Sequence, residues 1–166
     1  NNVSDNSIYR NIIQDHLMNN KFVKEDLLAA AIVLFAQGIP FIQEGSEILR
    51  TKMGDGNSYR SSDKINALKW DDKVQFIEVF NFYKELISIR KSFSELKMKK
   101  PEEIKRDLNI YFPNNNDKSG VIFCHYLSGD NNNSYKEILV VYNGSEMDNY
   151  DIRPFVTKPA NGMWKI

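Results

Sequence analysis

The run Leu27-Leu28-Ala29-Ala30-Ala31-Ile32-Val33-Leu34-Phe35-Ala36, followed by Gln37-Gly38-Ile39-Pro40-Phe41-Ile42, sets the fold class of this chain. The first part contains three consecutive alanines and no turn former, which favours a buried helix over a strand, and Gly38 supplies the stop. Ile39 to Ile42 is too short for a helix and apolar throughout, and it ends in the polar cluster Gln43 to Glu47. It predicts a short strand covered on both faces, of the kind a parallel sheet receives from a helix.

Working outward, residues 50–70 show no sustained period and carry Gly54, Gly56, Ser58, Ser61 and Ser62 among charged residues. A long irregular loop within a compact domain is uncommon and usually functional or disordered. Residues 74–93 return to helical spacing. Phe76, Val79, Phe80, Tyr83, Leu86, Ile87 and Ile89 supply the apolar face, and Glu78, Lys84, Glu85 and Lys91 remain for water. Beyond them the grammar changes to β-rich runs at 109–112, 120–128 and 136–143, separated by Asn, Asp, Gly and Ser clusters, which predicts antiparallel strands of a sandwich. A helix, a strand, a long loop and a second helix amount to the closing units of an α/β barrel. The expected fold class is therefore α/β plus all-β: residues 1–94 form the last strand and helices of a (β/α)8 barrel, and residues 95–166 an incomplete antiparallel β-sandwich.

Composition excludes several functions. The 166 residues carry 22 basic and 22 acidic side chains, so no net field draws the chain to nucleic acid or to an acidic membrane surface. The longest apolar run is about half of what a membrane span requires. Cys124 is the only cysteine, which excludes an internal disulfide and a thiolate cluster but leaves the choice between cytoplasm and secretion open. His16 and His125 have no second ligand at metal spacing, and no cluster of oxygen ligands suited to calcium is recognisable. The glycines Gly54 and Gly56 are not followed by a phosphate-loop signature, so no nucleotide cofactor is expected.

The candidate chemistry lies in the loops. Arg50, Asn57, Ser58 and Tyr59 offer guanidinium, amide, hydroxyl and aromatic groups, a mixture that suits hydrogen bonding and stacking on sugars; the alternative is a solvated loop. Asp63, Asn66 and Trp70 could wall a sugar subsite, or Trp70 could pack at the start of the next helix. Glu44 and Glu47 could pair for acid and base work, or one could form an ion pair with Arg50. Asp5 and Asn6 are turn formers or site residues. Cys124, inside a predicted strand, reads as a small buried hydrophobe rather than a nucleophile.

Taken together and in order, Gln37 to Ile42, Gly45-Ser46-Glu47, Leu49-Arg50-Thr51-Lys52, Asn57-Ser58-Tyr59, Asp63, Ile65-Asn66 and Trp70 resemble the stretch around the eighth barrel strand of type I pullulanases. These are members of the α-amylase superfamily, glycoside hydrolase family 13. Ile138 to Gly144 is similar, more loosely, to a strand and turn of the family's C-terminal β-domain. Val3-Ser4-Asp5-Asn6 falls where the family carries a His-Asp-Asn word, with the histidine missing here. The resemblance implies a starch-debranching hydrolase acting on α-1,6 branch points of pullulan, amylopectin and glycogen limit dextrins by a retaining mechanism. It implies that Asp5 stabilises the transition state and that Asn6, Arg50, Asn57 and Tyr59 contact substrate. The aspartate nucleophile and glutamate acid/base of such enzymes would lie upstream of Asn1, so this chain alone is expected to be inactive and to need the remainder of a parent polypeptide. Calcium, used by many family members, is not readable here.

Two other readings stay open. One is a non-catalytic α-glucan-binding module or degenerate paralogue, suggested by the missing histidine and carboxylates. The other is a different member of the superfamily, such as an isoamylase-like or α-amylase-like enzyme. The final residues Trp164-Lys165-Ile166 read as the start of a further strand, and unpaired strand edges would make the isolated chain prone to aggregate.

Overall fold

The computed structural model describes residues 16–113, 117–128, 136–147 and 149–156. Asp5, Asn6, the asparagine runs at 114–116 and 131–133, and residues 164–166 lie outside them. The chain divides into two compact units between Lys99 and Lys100.

The first unit is built on two helices. Helix α1 spans Lys21–Phe35. It begins where Asn20 stays extended and its side-chain oxygen accepts the Phe22 N–H at 2.9 Å, which satisfies one donor that a first turn leaves open. It ends at Ala36, where the backbone becomes extended, before Gly38 turns through the left-handed region at φ 93. Two short helices follow, α2 (Asp63–Asn66) and α3 (Asp72–Gln75), and then the long helix α4 (Ile77–Ser92). Phe76, with φ −112 and ψ 39, interrupts the predicted helix and separates α3 from α4.

Helix α1 buries Val23, Leu27, Ala30 and Leu34, and α4 buries Val79, Tyr83, Leu86 and Arg90. Both sets repeat at intervals of four, three and four residues, the spacing of one helix face, and the two helices pack together. Each large aliphatic side chain so buried contributes about 1.5–3 kcal/mol.

Three expectations are corrected here. Helix α1 is not buried all round: Phe22, Ile32 and Val33 face solvent, because among the described residues its main packing partner is α4, and one helix covers one stripe. On α4 the buried stripe runs through Arg90, while Ile87 and Ile89 are exposed. Arg90 is tolerated there because Nη1 donates to the carbonyls of Leu34 at 2.6 Å, Ala36 at 2.9 Å and Leu96 at 2.8 Å, and Nη2 donates to Gly38 O at 2.7 Å. The guanidinium thus satisfies carbonyls that the end of α1 leaves open. Finally, Ile39 to Ile42 form no strand; Ile39 is 97% and Phe41 90% exposed. A strand exists only with a ladder partner, and none of the described residues pairs with this segment.

The second unit opens with helix α5 (Pro101–Asp107), which the sequence reading did not anticipate. Pro101 occupies the first turn, where its missing N–H costs nothing. Glu102 and Glu103 sit in the first turn and Lys105 and Arg106 in the last, each matched to the helix dipole. The predicted strands follow within a residue or two of their expected bounds: β1 (Leu108–Tyr111), β2 (Val121–Leu127) and β3 (Glu137–Asn143). They form one antiparallel sheet in the order β1-β2-β3. Cys124 of the central strand pairs with Ile110 on one side and Val140 on the other. Val121, Phe123, Cys124 and Tyr126 are buried. Phe123 stacks under Tyr111 at 5.0 Å between ring centroids, with Phe155 tilted against it at 5.9 Å. This is the sole sheet among the described residues, so the second layer of a sandwich is not among them.

Candidate functional site

The loop that leaves Ile42 is organised from its first turn. Gly45, at φ 89, opens a single 3-10 turn (Ser46–Ile48) whose Ile48 is buried. Only glycine serves there: a Cβ would lie 2.7 Å from Cβ and Cδ of Arg50 and 2.9 Å from Cδ2 of Leu68. The turn closes on Leu49 at φ 52, and Met53 repeats a left-handed backbone at φ 51. Two non-glycine residues held in this region, four positions apart on either side of Arg50, mark backbone strain that surrounding contacts must sustain.

Those contacts converge on Asn66 at the end of α2. Its carboxamide nitrogen donates to the carbonyls of Ser58 at 2.8 Å and Ser61 at 2.7 Å. Its side-chain oxygen accepts from Lys52 Nζ at 2.7 Å. Its backbone carbonyl accepts from Arg50 Nη2. Between Ser58 and Ser61 runs a second 3-10 turn, Ser58–Arg60. Asp55 completes the arrangement by accepting the Ser61 hydroxyl at 2.5 Å and the Asn57 N–H at 3.0 Å. These two bonds, with the charge of Lys52, hold its carboxyl below the ordinary carboxylate range.

Of the residues expected to contact substrate, Asp5 and Asn6 lie outside the described residues. Arg50, Asn57 and Tyr59 share this one loop. Arg50 is half-buried and donates to Glu44 O at 3.3 Å as well as to Asn66 O, while its Nε is buried without a partner. The expected ion pair with Glu44 or Glu47 does not form: the guanidinium is taken by backbone carbonyls, and Glu47 accepts the Gly45 N–H at 3.1 Å. Tyr59 is 74% exposed, with the Arg60 guanidinium 5.2 Å from its ring centroid. Trp70 is 66% exposed and does not pack into the helix it precedes.

A separate, largely apolar cleft of about 570 Å3 lies along α4, lined by Ile42, Glu44, Glu47, Phe80, Tyr83 and Ile87, among others. Neither Arg50, Asn57 nor Tyr59 lines it. The hydroxyl of one lining residue, Tyr83, lies 3.5 Å from Asp26 Oδ2. Burial, with the Asp26 carboxylate beside it, pushes the Tyr83 hydroxyl up to about 12, and burial also raises Asp26.

In the second unit His125 Nε2 lies 3.0 Å from Glu137 Oε2. No three His, Cys, Asp or Glu side chains gather as a metal site among the described residues. Cys124 is buried, and burial raises its thiol, as expected of a small core residue.

The organising residues Asn66 and Arg90 were not assigned these roles from sequence. Arg90 carried one usable signal, a cation at the position where the four-three-four spacing of Val79, Tyr83 and Leu86 continues. The sequence presents Asn66 as a possible subsite wall, but nothing in it marks the residue as the tie of the loop, because its side-chain bonds join parts of a segment with no period.

No protein-family model matches the chain. The pullulanase of Bacillus subtilis (strain 168) is 39% identical over 118 residues, which are 71% of this chain and 16% of that protein. Among solved structures, type I pullulanase from Bacillus subtilis str. 168 complexed with maltose superposes with a TM-score of 0.67 at 36% identity, over 76% of this chain and 17% of that one. Pullulanase complexed with maltotetraose from Anoxybacillus sp. LM18-11 superposes with a TM-score of 0.68 at 32% identity, over 77% and 18%. The chain therefore spans under a fifth of the length of these relatives. They define the class to which it is related as the glycoside hydrolases. Within that class the chain resembles the type I pullulanases, as the residue words from Gln37 to Trp70 indicated.

Proposed function

We propose that this chain is part of a pullulanase-like debranching hydrolase that cleaves α-1,6-glucosidic branch points in pullulan, amylopectin and glycogen limit dextrins. On this reading residues 1–94 are the last strand and helices of a (β/α)8 catalytic barrel, and residues 95–166 belong to a β-sandwich domain. Asp5 stabilises the oxocarbenium-like transition state, and Asn6, Arg50, Asn57 and Tyr59 contact the glucan. The nucleophile and the acid/base of the retaining mechanism come from outside these residues, as barrel sites draw their groups from the loops after several strands. The bare segment Ile39 to Ile42, apolar and unpaired, supports the barrel assignment, because neighbouring strands would cover both its faces.

The observation that carries the proposal is the joint likeness in sequence and backbone to pullulanases, two of them solved with bound maltose or maltotetraose. The test is an assay of the full-length polypeptide on pullulan and on a linear α-1,4-glucan. Reducing ends should appear from pullulan, and Asp5→Asn should slow their release by roughly a hundredfold or more. Cleavage of the linear glucan with pullulan left intact would place the chain in another branch of the superfamily. Retention on amylopectin without turnover of either polymer would leave a binding module.

A further inference from the structure

We propose that Asn66 is the positioning residue of the candidate glucan loop, setting the placement of Tyr59 and Arg50 without itself touching sugar. This rests on the reading that the loop contacts an α-glucan. The geometry behind it is the use of every polar group that Asn66 has on its side chain. Both carboxamide hydrogens are committed, to Ser58 O at 2.8 Å and Ser61 O at 2.7 Å, and the oxygen accepts Lys52 Nζ at 2.7 Å. An amide offers two donors on one atom and an acceptor on the other, so no other residue of this size satisfies both carbonyls and the ammonium together.

The two carbonyls belong to the residues that begin and follow the turn carrying Tyr59 and Arg60. Fixing both holds that turn at its ends, while Tyr59 itself makes few contacts and stays exposed. The backbone carbonyl of the same residue receives Arg50, so one residue joins the start of the loop to its tip. The left-handed residues Leu49 and Met53 need such a restraint, since each conformation is costly when unsupported. An exposed aromatic ring binds a sugar face well only if its place is fixed before the ligand arrives, because ordering it on binding subtracts from affinity.

Asn66→Asp separates the roles. The carboxylate keeps the contact to Lys52 and nearly the same volume, yet it has no donor for Ser58 O or Ser61 O and sets a negative oxygen against one of them. The experiment compares the full-length polypeptide with its Asn66→Asp and Asn66→Ala forms in two measurements. Kinetics on pullulan should show KM rising by roughly tenfold, with kcat changed far less, since the loop holds substrate away from the reacting bond. Hydrogen exchange at residues 55–61 should accelerate by about tenfold or more, while α1 and α4 remain protected. Unchanged KM with unchanged exchange overturns the proposal, as does a fall in kcat alone. If the unsubstituted protein does not cleave pullulan, the debranching reading fails separately. Affinity for maltotetraose then replaces KM: a loss of roughly tenfold in both variants supports the positioning role, and equal affinity in all three overturns it.

Discussion

Arg90 reaches from the buried face of α4 to Gly38, its Nη2 lying 2.7 Å from the glycine carbonyl, with three further donations from Nη1 to Leu34, Ala36 and Leu96. One guanidinium therefore fastens the end of α1, the turn after it and the 3-10 turn Ser94–Lys97 that follows α4. Arg90→Met removes every one of these donors while keeping an apolar stem of similar length. The carbonyls left behind are buried or partly buried, and each unsatisfied acceptor is costly. The expected destabilisation is about 3–5 kcal/mol, read as a lowered denaturant midpoint of the first unit. Arg90→Lys should recover little of it, because an ammonium cannot span four carbonyls in a planar fork.

Gly45 is the second point where the loop has no alternative. Its φ of 89 is one that side-chain-bearing residues seldom adopt, and a methyl group there would overlap the Arg50 side chain and Leu68. Gly45→Ala must strain the backbone and displace Arg50 together. A loss of about 1–3 kcal/mol is expected, seen as a lower Tm. Because Arg50 is displaced, faster hydrogen exchange at its amide should accompany the loss; unchanged exchange would mean that the arginine moves aside freely.

The Asp55 carboxyl is held low by the Ser61 hydroxyl, then by the Asn57 N–H and Lys52. A group whose pKa is depressed by folding contributes its stabilisation above its unfolded value of 3.8 and loses it as pH falls through the lower folded value. The turn at 58–60 should therefore be insensitive to pH between 5 and 8, on the order of the whole neutral range, and loosen only below the ordinary carboxylate value. Ser61→Ala removes the largest cause and should raise the Asp55 pKa toward 3.8, measurable by carbon-detected NMR titration of the carboxyl. No upward movement would show that the hydroxyl is not the donor that matters.

Much of this architecture was legible from local composition and, on α4, from helical spacing. Val79 and Leu86 on α4 announce one face of a helix, the alanine-rich run of α1 announces a helix by composition but not which face it buries, and the β-branched and aromatic run from Val121 to Leu127 announces a strand. The parts that were not legible depend on partners distant in sequence. Ile39 to Ile42 has the composition of a covered strand, yet strand formation needs a neighbour, and the described residues provide none. Arg90 was missed because a cation inside an apolar stripe makes sense only once four carbonyls are known to surround it. Helix α5 is a single short segment with charged residues all round, so no apolar period betrays it; its Pro101 and the acidic-to-basic gradient were the available marks. In the loop, the amino acids suited to sugars could be picked out by type, but which of them are scaffold and which are exposed was decided by hydrogen bonds. Arg50 proved tied to Glu44 and Asn66, whereas Tyr59 stands free of the core.

That difference separates the two residues in a binding experiment. Tyr59 is exposed, stacks only beneath Arg60 and buries little, so Tyr59→Ala should leave the Tm of the full-length polypeptide nearly unchanged. If the ring is a sugar platform, its loss removes apolar and CH–π contact worth about 0.5–1.5 kcal/mol, which corresponds to a roughly two- to tenfold weaker affinity for maltotetraose. Tyr59→Phe keeps the face of the ring and should retain most of the affinity, because the described hydroxyl contributes no bond to the loop. Arg50→Ala should behave in the opposite way: by releasing two backbone carbonyls and emptying the space over Gly45, it should lower the Tm as well as the affinity. Equal affinity in the Tyr59→Ala form and the unsubstituted protein, by calorimetric titration, would remove Tyr59 from the candidate site and leave the loop's exposed turn as scaffold.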